Sequence, residues 1–66
     1  MKGGLYYTHS EFRDVYFYLK KAFYVPEKDI YKLNIIWMHK RNDRFIFEDK
    51  LTLPATKCKE FKLIGR

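Results

Sequence analysis

Apolar and polar residues along this chain follow two different periods. Between Thr8 and Tyr24 the spacing is helical. Advancing about 100° per residue from Phe12, the residues Val15, Tyr16, Leu19, Ala22 and Phe23 fall on one stripe, with Asp14 and Lys21 opposite. Thr8 and Glu11 stand at the spacing of a capping box, and Tyr7 and Phe12 at that of a hydrophobic staple, so two local devices agree on one start. Pro26 ends the run, because the residue before a proline is pushed out of helical geometry. The pattern predicts a helix over residues 8–24.

From residue 30 onward the period changes. Residues 30–39 and 45–53 are rich in β-branched and aromatic side chains and predict a hairpin over residues 30–53. A two-residue turn at Asn42 and Asp43 would set Trp37 opposite Glu48 and Ile35 opposite Lys50. A three- or five-residue loop centred on the same pair instead gathers Tyr31, Leu33, Ile35 and Trp37 beside Phe45, Phe47, Leu51 and Leu53. A one-residue slip exchanges the two faces, so the coherent face is expected. Pro54 ends the second strand, residues 60–64 predict a C-terminal strand, and Leu5, Tyr6 and Tyr7 a short edge strand. The expected fold is a single small α+β domain over residues 1–66 in the order β-α-β-β-β. One helix is packed on a three- to four-stranded antiparallel sheet.

Size limits what such a domain can do. A chain of 66 residues buries only about 60% of its unfolded surface. That excludes a multidomain enzyme, a dinucleotide-binding fold and a deep, fully walled active site. Cys58 is the one cysteine, so no internal disulfide forms, and a bridge-free domain of this size is expected in the cytoplasm. No apolar run approaches the roughly 18 residues of a membrane span, and the N-terminal residues have no signal-peptide pattern.

Charge and aromatic content change the picture further. The formal net charge is +6, and aromatic residues make up 20% of the chain. Residues 1–30 hold five basic and four acidic side chains, whereas residues 31–66 hold nine and four. An excess placed in one half favours an anionic partner. The hairpin tip carries Lys40, Arg41 and Arg44, the strands add Lys32 and Lys50, and the tail adds Lys57, Lys59, Lys62 and Arg66. On the predicted helix, Phe17 and Tyr24 lie beside Arg13 and Lys20, outside the buried stripe. Rings interleaved with cations suit single-stranded nucleic acid, the rings stacking on bases and the cations meeting phosphates.

The leading expectation is therefore a non-enzymatic module that binds DNA or RNA. Phosphates would meet the eight lysines and arginines at positions 32, 40, 41, 44, 50, 57, 59 and 62, with Phe17 and Tyr24 available for stacking. The alternative is a protein-binding inhibitor or regulator, of the kind encoded by viruses and plasmids. It would meet an acidic protein surface, or a second copy of itself, through Ile36, Met38 and Ile46 inside a basic rim.

Enzymatic readings have less behind them. Glu48, Asp49 and Lys50 follow the acidic-x-Lys pattern of metal-dependent nucleases, and His9 or His39 with neighbouring cations suits a small ribonuclease. Neither comes with a supporting motif. Cys58, His9 and His39 have no paired ligand spacing, so no metal or other cofactor is implied. Lys57 and Lys59 flanking Cys58 predict a lowered thiol pKa and a reactive cysteine.

Overall fold

A computed structural model describes residues 1–65. Its strands are β1 (Leu5–His9), β2 (Phe12–Val25), β3 (Ile30–His39), β4 (Phe45–Pro54) and β5 (Phe61–Gly65), with one short helix, α1 (Ala55–Cys58), between the last two. All five strands join one antiparallel sheet in the order β4-β3-β2-β1-β5. Strands β1 to β4 form a meander. The chain then crosses the sheet through α1 and returns β5 to the free side of β1, the kind of long return seen in Greek-key sheets.

Residues 8–24 are thus not a helix. Thr8 and His9 complete β1, Ser10 and Glu11 form a tight turn, and residues 12–24 lie in β2. Six of the 14 residues of β2 are aromatic and two are valine, side chains that lose χ1 freedom in a helix and pack well on a pleated surface. The helical spacing has a specific origin. Val15, Phe17 and Leu19 point to the core side, and a β-bulge between Leu19 and Lys21 then shifts the phase so that Ala22 follows them inward. The three-residue step from Leu19 to Ala22 imitates a helical turn. Glu11 makes no capping box; its backbone N–H donates to His9 Nδ1 at 3.1 Å and closes the turn.

The hairpin keeps its expected face. Tyr31 lies opposite Leu53, Leu33 opposite Leu51 and Trp37 opposite Phe47, with residues 40–44 between the strands. A bulge beyond Trp37 sets Phe45 against Met38 rather than on the Trp37 side, and the inward partner of Ile35 is Asp49. The sheet has five strands rather than three or four. β1 is not an edge, since β2 and β5 flank it.

One level of the sheet shows why the inner face holds together. Leu63, Tyr7, Phe17, Trp37 and Phe47 stand side by side across all five strands. Phe17 meets Trp37 edge-on at 4.7 Å between ring centres, and Phe47 stacks on Trp37 at 5.3 Å, arrangements that suit ring quadrupoles. Phe17, Leu19 and Ile35 are fully buried, and Tyr7, Leu33 and Cys58 complete the core. The Tyr7 hydroxyl, on a buried ring, is satisfied by the backbone N–H and carbonyl of Lys2.

Candidate functional site

Packing on the inner face leaves the other side of the sheet uncovered. Alternation sends Tyr6 and Thr8 of β1, Tyr16 and Tyr18 of β2, and Lys32, Asn34, Ile36 and Met38 of β3 outward. The register lines these residues up in rows. Tyr16 lies beside Met38; Tyr6, Tyr18, Ile36 and Glu48 share the next level. Below them come Lys21, Asn34 and Lys50, then Phe23, Lys32 and Thr52. The bulge in β2 puts Lys20 on this side as well, where its Nζ lies 3.3 Å from Glu48 Oε2.

The three tyrosines form a half-buried cluster. Tyr6 lies 5.8 Å from Tyr16 and 4.9 Å from Tyr18 between ring centres, both pairs tilted. The Tyr16 hydroxyl donates to Asp43 Oδ1 at 2.7 Å, which joins this cluster to the β3–β4 tip. The bond to Asp43 is the main cause, with burial next, that pushes the Tyr16 phenol up to about 12.

At the tip, Asp14, His39, Lys40, Arg41, Asn42 and Arg44 line an open cleft of about 620 Å³. Its walls are held by backbone bonds. The Lys40 N–H donates to the Asp14 carbonyl at 3.0 Å, and the His39 N–H to the Arg44 carbonyl at 2.8 Å. Asp43 takes the left-handed conformation at φ 52°, and Asn42 Oδ1 accepts from the Arg44 N–H at 3.1 Å. Asp and Asn tolerate such turns better than most residues. Arg41 and Arg44 flank the cleft as planar donors suited to phosphate oxygens.

The expected site residues therefore separate into three groups. Lys40, Arg41 and Arg44 share the tip, while Lys32, Lys50 and Lys62 lie on the outer face. Lys57 and Lys59 do not join them. Lys57 borders an apolar groove on the inner side and lies 3.9 Å from Glu60, and Lys59 borders a separate concavity with Tyr24, Asp29 and Cys58. Arg66 lies outside the described residues.

Phe17 is 1% exposed and sits at the centre of the core, so its ring has no free face for a base. Tyr24 is exposed, but its ring packs on Tyr31 and its hydroxyl donates to Asp29 at 2.5 Å, away from the tip. Ile36 and Met38 are half-buried beside the tyrosines, and Ile46 sits where the β4 ladder shifts register.

Reading residues 8–24 as a helix hid Tyr16, Tyr18 and Lys21 from the site, and Tyr6 was assigned only to a short edge strand. The run Tyr16-Phe17-Tyr18 carries the missed signal: one ring without a hydroxyl between two that carry one suits a strand with a dry face and a wet face.

The inner groove, about 420 Å³, is lined by Phe12, Trp37, Phe61 and Leu51 among others, with His9, Glu11, Lys57 and Glu60 at its border. Residues of both edge strands line it, so the sheet curls around it. Cys58 is not activated by its lysine neighbours; it is buried, and burial pushes its thiol up. The Asn34 amide and Lys20 together hold the Glu48 carboxylate below its usual range. Among the described residues no three His, Cys, Asp or Glu side chains could share a metal ion, and no helix is long and apolar enough to cross a membrane. No known family profile matches the chain, and no curated protein or solved structure is significantly similar to it.

Proposed function

We propose that this protein is a non-enzymatic module that binds nucleic acid, with its β3–β4 tip as the phosphate contact. The observation that carries the reading is the convergence of Lys40, Arg41 and Arg44 with His39 on one open cleft that has a single carboxylate, Asp14, among its lining residues. Two planar guanidinium groups and an ammonium in fixed backbone geometry suit phosphate oxygens better than any neutral ligand. Lys32 and Lys50 extend the positive surface along the outer face.

The test is the salt dependence of binding to short DNA and RNA strands. Affinity should fall steeply with salt as counterions are released. Replacing Arg41 and Arg44 together by alanine should lower the slope of log K against log salt by about two. Absence of binding to any strand at low salt would sink the reading, and so would an unchanged slope. The strand should be recovered intact after incubation. Cleavage that disappears in His39→Ala would make the protein a nuclease instead.

A second reading draws on Phe45 and Phe47, both exposed on the unpaired edge strand β4. An apolar edge with a basic rim could dock an acidic protein surface or a second copy of the chain. In that case Phe47→Ser would weaken association while leaving strand binding largely intact, since Phe47 lies on the Trp37 side of the sheet and not on the tyrosine face.

A further inference from the structure

The tip explains how phosphates would be held but not what the outer face is for. We infer that the ligand is single-stranded and that its bases stack on the Tyr6, Tyr16 and Tyr18 cluster; this rests on the nucleic-acid reading above. Four features of the outer face support it.

First, the cluster is continuous with the tip, because Tyr16 donates to Asp43 of the same loop that carries Lys40 and Arg41. A strand anchored there by a phosphate has rings immediately beside it. Second, cations resume beyond the rings: Lys21 and Lys50 flank Asn34 on the next level, and Lys32 follows on the one after. From Met38 to Lys32 the face runs about 20 Å at roughly 3.3 Å per residue, room for a few nucleotides between two phosphate contacts. Third, the two acids beside the rings each have a partner. Asp43 accepts from Tyr16, and Glu48 is paired with Lys20.

The fourth feature is shape. Five strands at about 4.8 Å spacing make a surface roughly 19 Å wide, too broad to enter a major groove of about 12 Å. Duplex DNA also keeps its base faces covered, leaving the tyrosines nothing to stack on. The inner groove has rings too, but its border mixes Lys57 and His9 with Glu11 and Glu60, a poor match for a polyanion.

The deciding experiment compares three ligands on the intact protein: an oligothymidylate of about ten nucleotides, an abasic sugar-phosphate strand of equal length and charge, and the corresponding duplex. Stacking predicts that the oligothymidylate binds about tenfold or more tighter than the abasic strand, and tighter than the duplex. Tyr18→Leu should shrink that preference severalfold while abasic binding stays put. Equal affinity for thymidylate and abasic strands overturns the stacking proposal but leaves the phosphate reading standing. Tighter binding of the duplex overturns it as well. Failure of all three to bind overturns the underlying reading. The wild-type comparison decides the matter even where Tyr18→Leu fails to fold.

Discussion

Tyr16 in β2 donates its hydroxyl hydrogen bond to Asp43, 27 residues away at the tip of the next hairpin, at 2.7 Å. Because this bond holds the proton, the phenol titrates at about 12 rather than 10. A group whose folded pKa is raised adds stability that is fully present below its unfolded value and lost as pH climbs through the folded one. The Tyr16 contribution is therefore intact below pH 10 and disappears as pH rises through about 12. Tyr24, bonded to Asp29, is raised for the same reason. An ultraviolet pH titration should show Tyr16 and Tyr24 ionising above the ordinary phenol value of 10. In Asp43→Asn, Tyr16 should move back toward its ordinary value and Tyr24 should stay. If Tyr16 ionises at its ordinary value of 10 in the wild type, the tip is not tied to β2 in solution.

Phe17 and Phe23 separate the sheet from the helical alternative. Phe17 is buried at 1% exposure and Phe23 is 64% exposed, whereas a helix over residues 8–24 would reverse them. Phe17→Ala should cost about 3–5 kcal/mol, most of the stability of a domain worth roughly 0.05–0.15 kcal/mol per residue. Phe23→Ala should stay within about 0.5 kcal/mol. Thermal or urea unfolding of the two variants reads the difference, and comparable losses would contradict the fold.

Glu48 is the one acidic residue on the outer tyrosine level, and its lowered pKa keeps it charged into mildly acidic solution. Glu48→Gln should strengthen strand binding severalfold near neutral pH by removing a repulsive charge and freeing Lys20. The gain should fade as pH falls through the Glu48 titration, since the wild-type side chain then becomes neutral too. Its own contribution to stability runs the same way, present above the ordinary carboxylate pKa and lost below the depressed one. Equal affinities for the two proteins at neutral pH would place the strand elsewhere.

Cys58 should be a silent thiol. It is 5% exposed, and burial disfavours its thiolate. A disulfide reagent at neutral pH should modify it about a hundredfold or more slowly than a free cysteine peptide, through local or global opening. Subdenaturing urea should speed the reaction. Prompt modification in buffer would mean that α1 does not cap the core.

Much of the hairpin could be read in advance because its alternation is uninterrupted: Tyr31, Leu33, Ile35 and Trp37 face one way without a break. Residues 12–25 resisted for a local reason. One bulge between Leu19 and Lys21 replaces a two-residue step by a three-residue step, and Val15, Leu19 and Ala22 then match a helix as well as a strand. The surplus of rings left outside the helical stripe was itself the contrary sign, since Phe17 has no reason to face water. The tip cations Lys40, Arg41 and Arg44 were legible because a hairpin places its own turn. Lys57 and Lys59 were not, because a four-residue helix and a cross-sheet connection decide where they point. Which strand would flank β1 on its open side depended on that connection too.

The pairing of Tyr7 with Leu63 has a kinetic meaning. Every other strand contact joins neighbours in the chain, so the four-strand meander can assemble by short loop closures. β5 reaches β1 only after the chain has crossed the whole sheet, and closure that remote in sequence is slow. The β1–β5 pairing is therefore expected to form last during refolding, after the meander. An interrupted or truncated chain would offer the β1 edge to another molecule, which makes β5 the latch against misassembly.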